Sequence, residues 1–261
     1  MSGQTQKLPN LLKATPEGLL VTTEWLKKRE VSRQLAAKYV ESGWLESPAR
    51  GVYRRPGEVL RWENVVASLR WLGYRVHVGG VSAVGLLGVS HYLQFRKQPE
   101  VLLYTSRSLP AWVSQVTHDV KFSQRRNRLF KESASRPLAM TAVDWRLAEH
   151  PLPVSSLERA TLEVLELVPA EVSFESADKL IEGFLNLRPR VLMELLSSCT
   201  NIRVKRLFLW FAERHGHAWF KRLDAKRIGL GMGKRQIVPG GRLDPKYLIT
   251  VPREMIDAPG L

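Results

Sequence analysis

Residues 32–56 read SRQLAAKYVESGWLESPARGVYRRP, and their order decides how the chain begins to fold. Ser32 suits a helix N-cap, because its hydroxyl can accept a backbone N–H that the first turn leaves unpaired. The residues after it divide at a period of 3.6. Leu35, Ala36, Tyr39 and Val40 share one face, and Arg33, Gln34, Ala37, Lys38 and Glu41 share the other. Gly43 is placed to take the left-handed conformation that closes a helix. Beyond it, WLE and VYRR read as strands around SPARG, whose Ser, Pro and Gly are turn residues.

Upstream, LPNLLKAT (8–15) spaces Leu8, Leu11 and Leu12 as a helix does, and PEG ends the run. TTEWLKKRE (22–30) follows, with Thr22 or Thr23 as N-cap, Trp25 and Leu26 inward, and Lys27, Lys28 and Arg29 supporting the dipole at the C-terminal end. Three helices and then a hairpin is the layout of a winged helix-turn-helix. The major groove of DNA is about 12 Å wide and admits one helix. On that helix Arg33 and Gln34 suit base edges and Lys38 suits phosphate, with Ser32 at its start; Arg50, Arg54 and Arg55 on the wing would reach the flanking backbone or minor groove. A solvated face of a small helical subdomain, or a protein-binding adaptor, would carry similar charges.

The whole chain has 261 residues, 44% of them hydrophobic, enough for one large or two modest domains. Forty Lys and Arg against twenty-five Asp and Glu give +15, a field that attracts polyanions: nucleic acid or an anionic membrane surface. One cysteine, Cys199, excludes an internal disulfide framework and any multi-cysteine metal site. MSGQTQKLPN lacks the apolar core of a leader, and no run approaches the roughly 18 apolar residues of a membrane span. A soluble cytoplasmic protein is expected.

The middle of the chain reads as mixed α/β. WENVVASLRWL (62–72) is an amphipathic helix, YRVHVGG a strand, GGVSAVGLLG a short helix, and EVLLYT and HDVKF further strands. Arg125, Arg126, Arg128 and Lys131 form a basic run expected at an exposed turn. From 153 onward the pattern is helical. SSLE (155–158) reads as a capping box opening a helix covered on two sides; Ser173 caps the next, and Pro189 opens a third. Val204, Leu207, Phe208 and Phe211 mark a fourth. KRQIVPGGRLDPKYLITVP reads as a hairpin turning at Pro-Gly-Gly, with Ile237 and Val238 before the turn and Tyr247, Ile249 and Val251 after it. Basic residues dominate this last section, so a second basic surface is expected at Lys205, Arg206, Lys221, Arg222, Lys234, Arg235, Arg242 and Lys246. The expected architecture is α+β: residues 1–60 a winged helix, 61–261 a larger α/β domain.

No catalytic or cofactor pattern emerges. GLGMGKR (229–235) departs from the Walker pattern at Ile228 and Arg235, and from the dinucleotide pattern at Lys234, so a plain turn explains it better. HGH (215–217) lacks an accompanying ligand spacing, and Cys199 on an apolar stripe reads as a packing residue.

Together VSRQLAAKYVESGWLESPARGVYRRPG, VHVGGVSAVGLLGVSHYL, LPAW, SSLERATLEVLELVP, VKRLFLWFAERHGHAWFKRLD and GGRLDPKYLITVP, in this order, resemble the AbiE-type antitoxins of type IV toxin-antitoxin systems. The resemblance spans nearly the whole chain. It implies a winged helix that represses its own operon at inverted repeats of operator DNA, and a remainder that neutralises a co-encoded nucleotidyltransferase-like toxin. From the motif and composition readings no cofactor, no metal and no membrane partner are expected. A stand-alone transcriptional regulator and an RNA-binding protein are the competing readings, the latter because of the second basic surface.

Overall fold

The computed structural model describes residues 7–88, 99–116, 119–131, 137–147 and 149–257. The expectations touching residues 1–6, His118 and the VSHYL stretch at 89–93 lie outside these residues.

The chain opens with α1 (Lys7–Ala14), β1 (Val21–Thr22), α2 (Thr23–Lys27), α3 (Arg33–Glu41), β2 (Glu46–Ala49) and β3 (Val52–Arg54). The caps are local. Thr22 Oγ1 accepts from Trp25 N at 3.3 Å, and Ser32 Oγ from Leu35 N at 3.2 Å. Gly43, at φ +73°, ends α3: its N–H reaches Val40 O at 3.0 Å while Trp44 N reaches Tyr39 O at 2.8 Å. Because Trp44 and Leu45 both close onto Tyr39 O, the next strand starts at Glu46 rather than at Trp44. The turn is also tighter than SPARG suggests. Ser47, Pro48 and Ala49 are strand residues, and only Arg50 and Gly51 remain between β2 and β3. Pro48 is tolerated because β2 is an edge of the antiparallel sheet ordered β1-β3-β2.

The three helices and this sheet enclose one apolar cluster, Leu11, Val21, Leu26, Val31, Ala36, Tyr39 and Leu45. The stripe read on α3 supplies Ala36 and Tyr39 to it, with Leu35 and Val40 packed at the margin. Trp25 and Trp71 meet beside it with ring centroids 5.2 Å apart.

Next come α4 (Trp62–Trp71), β4 (Val76–Val78), α5 (Gly80–Leu86), β5 (Glu100–Thr105), β6 (Lys121–Arg126), β7 (Met140–Val143) and β8 (Leu152–Ser155). A five-stranded sheet has the order β6-β5-β4-β8-β7. β5 and β6 pair in parallel from Glu100↔Lys121 to Thr105↔Arg126. Arg125 and Arg126, expected in an exposed turn, are therefore strand residues: the backbone pairing with β5 carries β6 through the basic run. β7 and β8 escape the sequence pattern because each is only four residues long and Pro153 interrupts the second.

By packing, the chain divides into two compact units that are discontinuous in sequence: 1–77, 96–126 and 142–153, and 78–95, 127–141 and 154–261. The second unit is built on α6 (Leu157–Glu166), α7 (Phe174–Glu182), α8 (Pro189–Ser198) and α9 (Ile202–Arg214). The cap of α6 is Ser156, which accepts from Arg159 N, and not Ser155. Ser155 instead donates its hydroxyl to Glu163 Oε2 at 2.8 Å. Every residue from Glu158 to Leu165 is buried, so α6 is covered all round rather than on two sides. Ser173 and Pro189 open α7 and α8 as read, and Asn201 Oδ1 caps α9.

The carboxy-terminal hairpin differs from its expectation. β9 (Arg242–Asp244) pairs with β10 (Ile249–Val251), so the chain turns at DPKYL and not at Pro-Gly-Gly. Asp244 Oδ1 accepts from Tyr247 N at 2.7 Å and Leu248 takes φ +53° to close that turn. Ile237 and Val238 donate their N–H groups to the Thr250 hydroxyl instead of forming a ladder. A short helix α10 (Arg253–Asp257) follows. The fold is thus mixed α/β, with a helical amino-terminal region and carboxy-terminal strands.

Candidate nucleic-acid interface

On α3 the polar side is solvent-facing throughout: Arg33, Gln34, Ala37, Lys38 and Glu41 are all exposed, and Ser32 with them at the cap. The same helix buries Ala36 and Tyr39, so the apolar core holds its polar face outward. Trp44, just beyond the helix, is 49% exposed. Arg50 is exposed at the β2–β3 turn, and Arg55 is half-buried after β3.

Arg54 departs from this picture. It is 8% exposed, its Nε donates to Glu46 Oε2 at 2.6 Å and its Nη1 to Glu58 O at 2.7 Å. Side chains alternate along a strand, so Arg54 shares the inward face with Val52, and the register sets it opposite Glu46. Arg54 braces the hairpin and is unavailable as a wing contact.

The expected carboxy-terminal basic surface divides in the same way. Lys221, Arg222, Lys234, Arg235, Arg242 and Lys246 are exposed, Lys246 pairing with Glu213. Lys205 and Arg206 are buried at 6% and 1%, and belong to no surface. Arg206 donates to the carbonyls of Leu230 at 2.9 Å, Gly231 at 3.0 Å and Gly233 at 2.6 Å, and also to Leu248 O at 3.2 Å. Lys205 Nζ reaches Gly229 O at 3.3 Å. The glycine-rich segment is therefore a turn whose carbonyls converge on two cations, the reverse of a phosphate loop, whose N–H groups converge on an anion.

The other candidate chemistries resolve as packing. His215 Nε2 lies 2.8 Å from Asp178 Oδ1 and His217 Nε2 lies 2.8 Å from Ile181 O; among the described residues no group of His, Cys, Asp and Glu is arranged to hold a metal. Burial lowers the pKa of His217 and pushes the Cys199 thiol up to about 11, so the thiol stays protonated and unreactive near neutrality.

Sequence reasoning missed the charged centre of α6. Arg159 and Glu163, both buried, pair at 2.8 Å; Arg159 also donates to Leu138 O and Asn127 Oδ1, and Glu163 accepts from Gly80 N and Ser155. Next to them, burial opposes ionisation of Glu158, but Arg188, through its side chain and backbone N–H, together with Ser156, holds that carboxyl at about 2. The i,i+4 spacing of Arg159 and Glu163 was the only available signal, and it usually marks an exposed pair.

The amino-terminal helices present an outward polar and basic face on α3, and a mixed α/β remainder follows them in the chain. Residues 4–95 match the family described as transcriptional regulator, AbiEi antitoxin N-terminal domain, and residues 98–252 match transcriptional regulator, AbiEi antitoxin, type IV TA system. The chain belongs to the AbiEi antitoxin family. Its fold is similar to the crystal structure of the RV2827C protein from Mycobacterium tuberculosis, at a TM-score of 0.56 and 18% identity, covering 94% of this chain and 89% of that one. No curated protein matches the chain. No helix among the described residues is long and apolar enough to cross a membrane.

Proposed function

We propose that the chain is a type IV antitoxin that neutralises a co-encoded nucleotidyltransferase-like toxin and represses its own operon by binding operator DNA. The observation that carries the DNA part is the α3 face: Arg33, Gln34 and Lys38 stand exposed on one helix, with Arg50 exposed on the adjoining hairpin. Three helices followed by a β-hairpin support a winged helix-turn-helix, with α3 in the major groove and the β2–β3 turn over the flanking backbone. Arg33 and Gln34 would read base edges; Lys38, Arg50 and Arg55 would neutralise phosphate. Family membership supports the antitoxin part.

The test combines two assays on the full chain. Arg33→Ala should weaken binding to the upstream region of the operon by about 1–3 kcal/mol and relax sequence preference. Lys38→Ala should weaken all duplexes alike and lower the salt slope by about one. Both variants should still rescue growth of a host expressing the toxin. Indifference of DNA binding to both substitutions would remove the α3 assignment; failure of the unmodified chain to rescue would remove the antitoxin assignment.

A further inference from the structure

The connection between α7 and α8 and the segment after α9 border an open groove of about 850 Å³. The first contributes Leu185, Leu187 and Val191 to its lining, the second Ala218 and Trp219. Leu185 is 67% exposed there. Both sides are pinned to the body of the unit. Trp219 Nε1 donates to Phe184 O at 2.7 Å, which ties the segment after α9 to the end of α7. Arg188 donates through Nε and Nη2 to the Glu158 carboxylate, both at 2.8 Å, which ties the start of α8 to α6. A groove fixed by such contacts loses little conformational freedom when a partner fills it.

Three arginines border this apolar lining, and they are not equivalent. The charge of Arg188 is taken up by Glu158. Arg190 and Arg222 are exposed, and neither has a carboxylate within ion-pair distance among the described residues. Glu194 lies one turn beyond Arg190 on α8, yet the i,i+4 spacing that could pair them is not used. Each free guanidinium offers the two-pronged donor that a carboxylate accepts. Arginine beside large apolar side chains, without lysine, is the composition of a protein-binding patch, and no lysine is among the described residues of the groove. A nucleic-acid strand, with a phosphate at every nucleotide, would be repelled by Glu194 and would set its charge against the apolar lining. A peptide instead sets carboxylates at the two arginines and an apolar side chain against Leu185 and Val191.

We infer that this groove is the docking site for the co-encoded toxin, and that it takes an acidic segment whose carboxylates meet Arg190 and Arg222 while a large apolar side chain covers Leu185. Naming the toxin as the partner rests on the antitoxin reading above; the acidic and apolar character of the occupant rests on the groove alone.

The experiment immobilises the full chain and follows binding of the purified toxin by biolayer interferometry across a salt series. In the double variant Arg190→Ala with Arg222→Ala, affinity should fall about tenfold or more, with slower association and weaker salt dependence. Leu185→Ser should speed dissociation and leave the salt dependence unchanged, because it removes contact and no charge. The double variant should also rescue growth poorly while binding the operator duplex as the native chain does. All three side chains are exposed and make no hydrogen bond or ion pair among the described residues, so an unchanged thermal midpoint shows that each variant is folded. Toxin affinity unaltered in both variants overturns the inference, and so does the absence of toxin binding by the native chain. Loss of duplex or RNA binding in the double variant, with toxin affinity unaltered, overturns it too and reassigns the arginines to a polynucleotide. Growth rescue by the native chain is scored separately. Rescue without toxin binding removes the docking site and keeps the antitoxin reading; groove-dependent binding without rescue does the reverse.

Discussion

Glu163 Oε1 receives Arg159 Nε at 2.8 Å one turn away on α6, with the two side chains 1% and 0% exposed. Truncating one member of such a pair strands the other charge in the core. Glu163→Gln should therefore destabilise the chain by about 3–5 kcal/mol in urea denaturation. Replacing Arg159 with Met and Glu163 with Leu together should recover part of that loss. Equal stability of the single variant and the native chain would show that water reaches the pair.

Glu158 gives a dependence on pH. Its carboxyl is held at about 2 in the folded chain against an ordinary 4.5, so folding favours the ionised form. The resulting stability is complete above the unfolded value and is lost as pH falls from about 4.5 toward 2. Glu158→Gln should lower stability near neutrality by roughly 1.5–3 kcal/mol, the range for hydrogen bonds to charged groups, and flatten the acid limb. Arg188 is 63% exposed at its side chain, so solvent screening favours the lower end of the range. Denaturation midpoints between pH 7 and pH 3 measure both effects.

Arg54 and Arg50 should separate cleanly. Arg54→Ala leaves Glu46 without its guanidinium and Glu58 O without a donor, and should cost about 1–3 kcal/mol of stability. Arg50→Ala, at an exposed turn, should change stability by less than about 0.5 kcal/mol while weakening DNA binding. Thermal melts paired with operator titrations distinguish the two, and a reversed pattern would refute the division of labour.

Cys199 is buried, with its thiol raised to about 11 by desolvation. An aromatic disulfide reagent at pH 8 should label the native chain far more slowly than the urea-unfolded chain. Rapid native labelling would show that the carboxy-terminal end of α8 opens.

Where the determinants are near neighbours, the fold was legible in advance. Ser32, the 3.6-residue stripe and Gly43 determine α3 within twelve residues, and the same holds for Ser173 and for Pro189. Hairpins were less legible, because their register depends on partners. SPARG and the Pro-Gly-Gly both contain turn residues, yet the first is mostly strand and the second is not the turn of β9 and β10. Ser47 is absorbed by hydrogen bonds to Ala49 O and Val52 O, and Thr250 satisfies Ile237 and Val238.

By itself the sequence determined most of the helices, the caps at Ser32 and Ser173, the exposed face of α3 and the surplus of positive charge. Only the tertiary structure decided which cations remain available to a partner. Arg54 and Arg55 are adjacent, as are Arg206 and Lys205 with the apolar stripe of α9, and nothing local marks which are buried. The physical reason is that burying a cation is tolerable only where the folded backbone brings acceptors to it, whether from the same hairpin or from a distant segment. For Arg54 these are Glu46 and Glu58, and for Arg206 they are the carbonyls of the turn at 230–233.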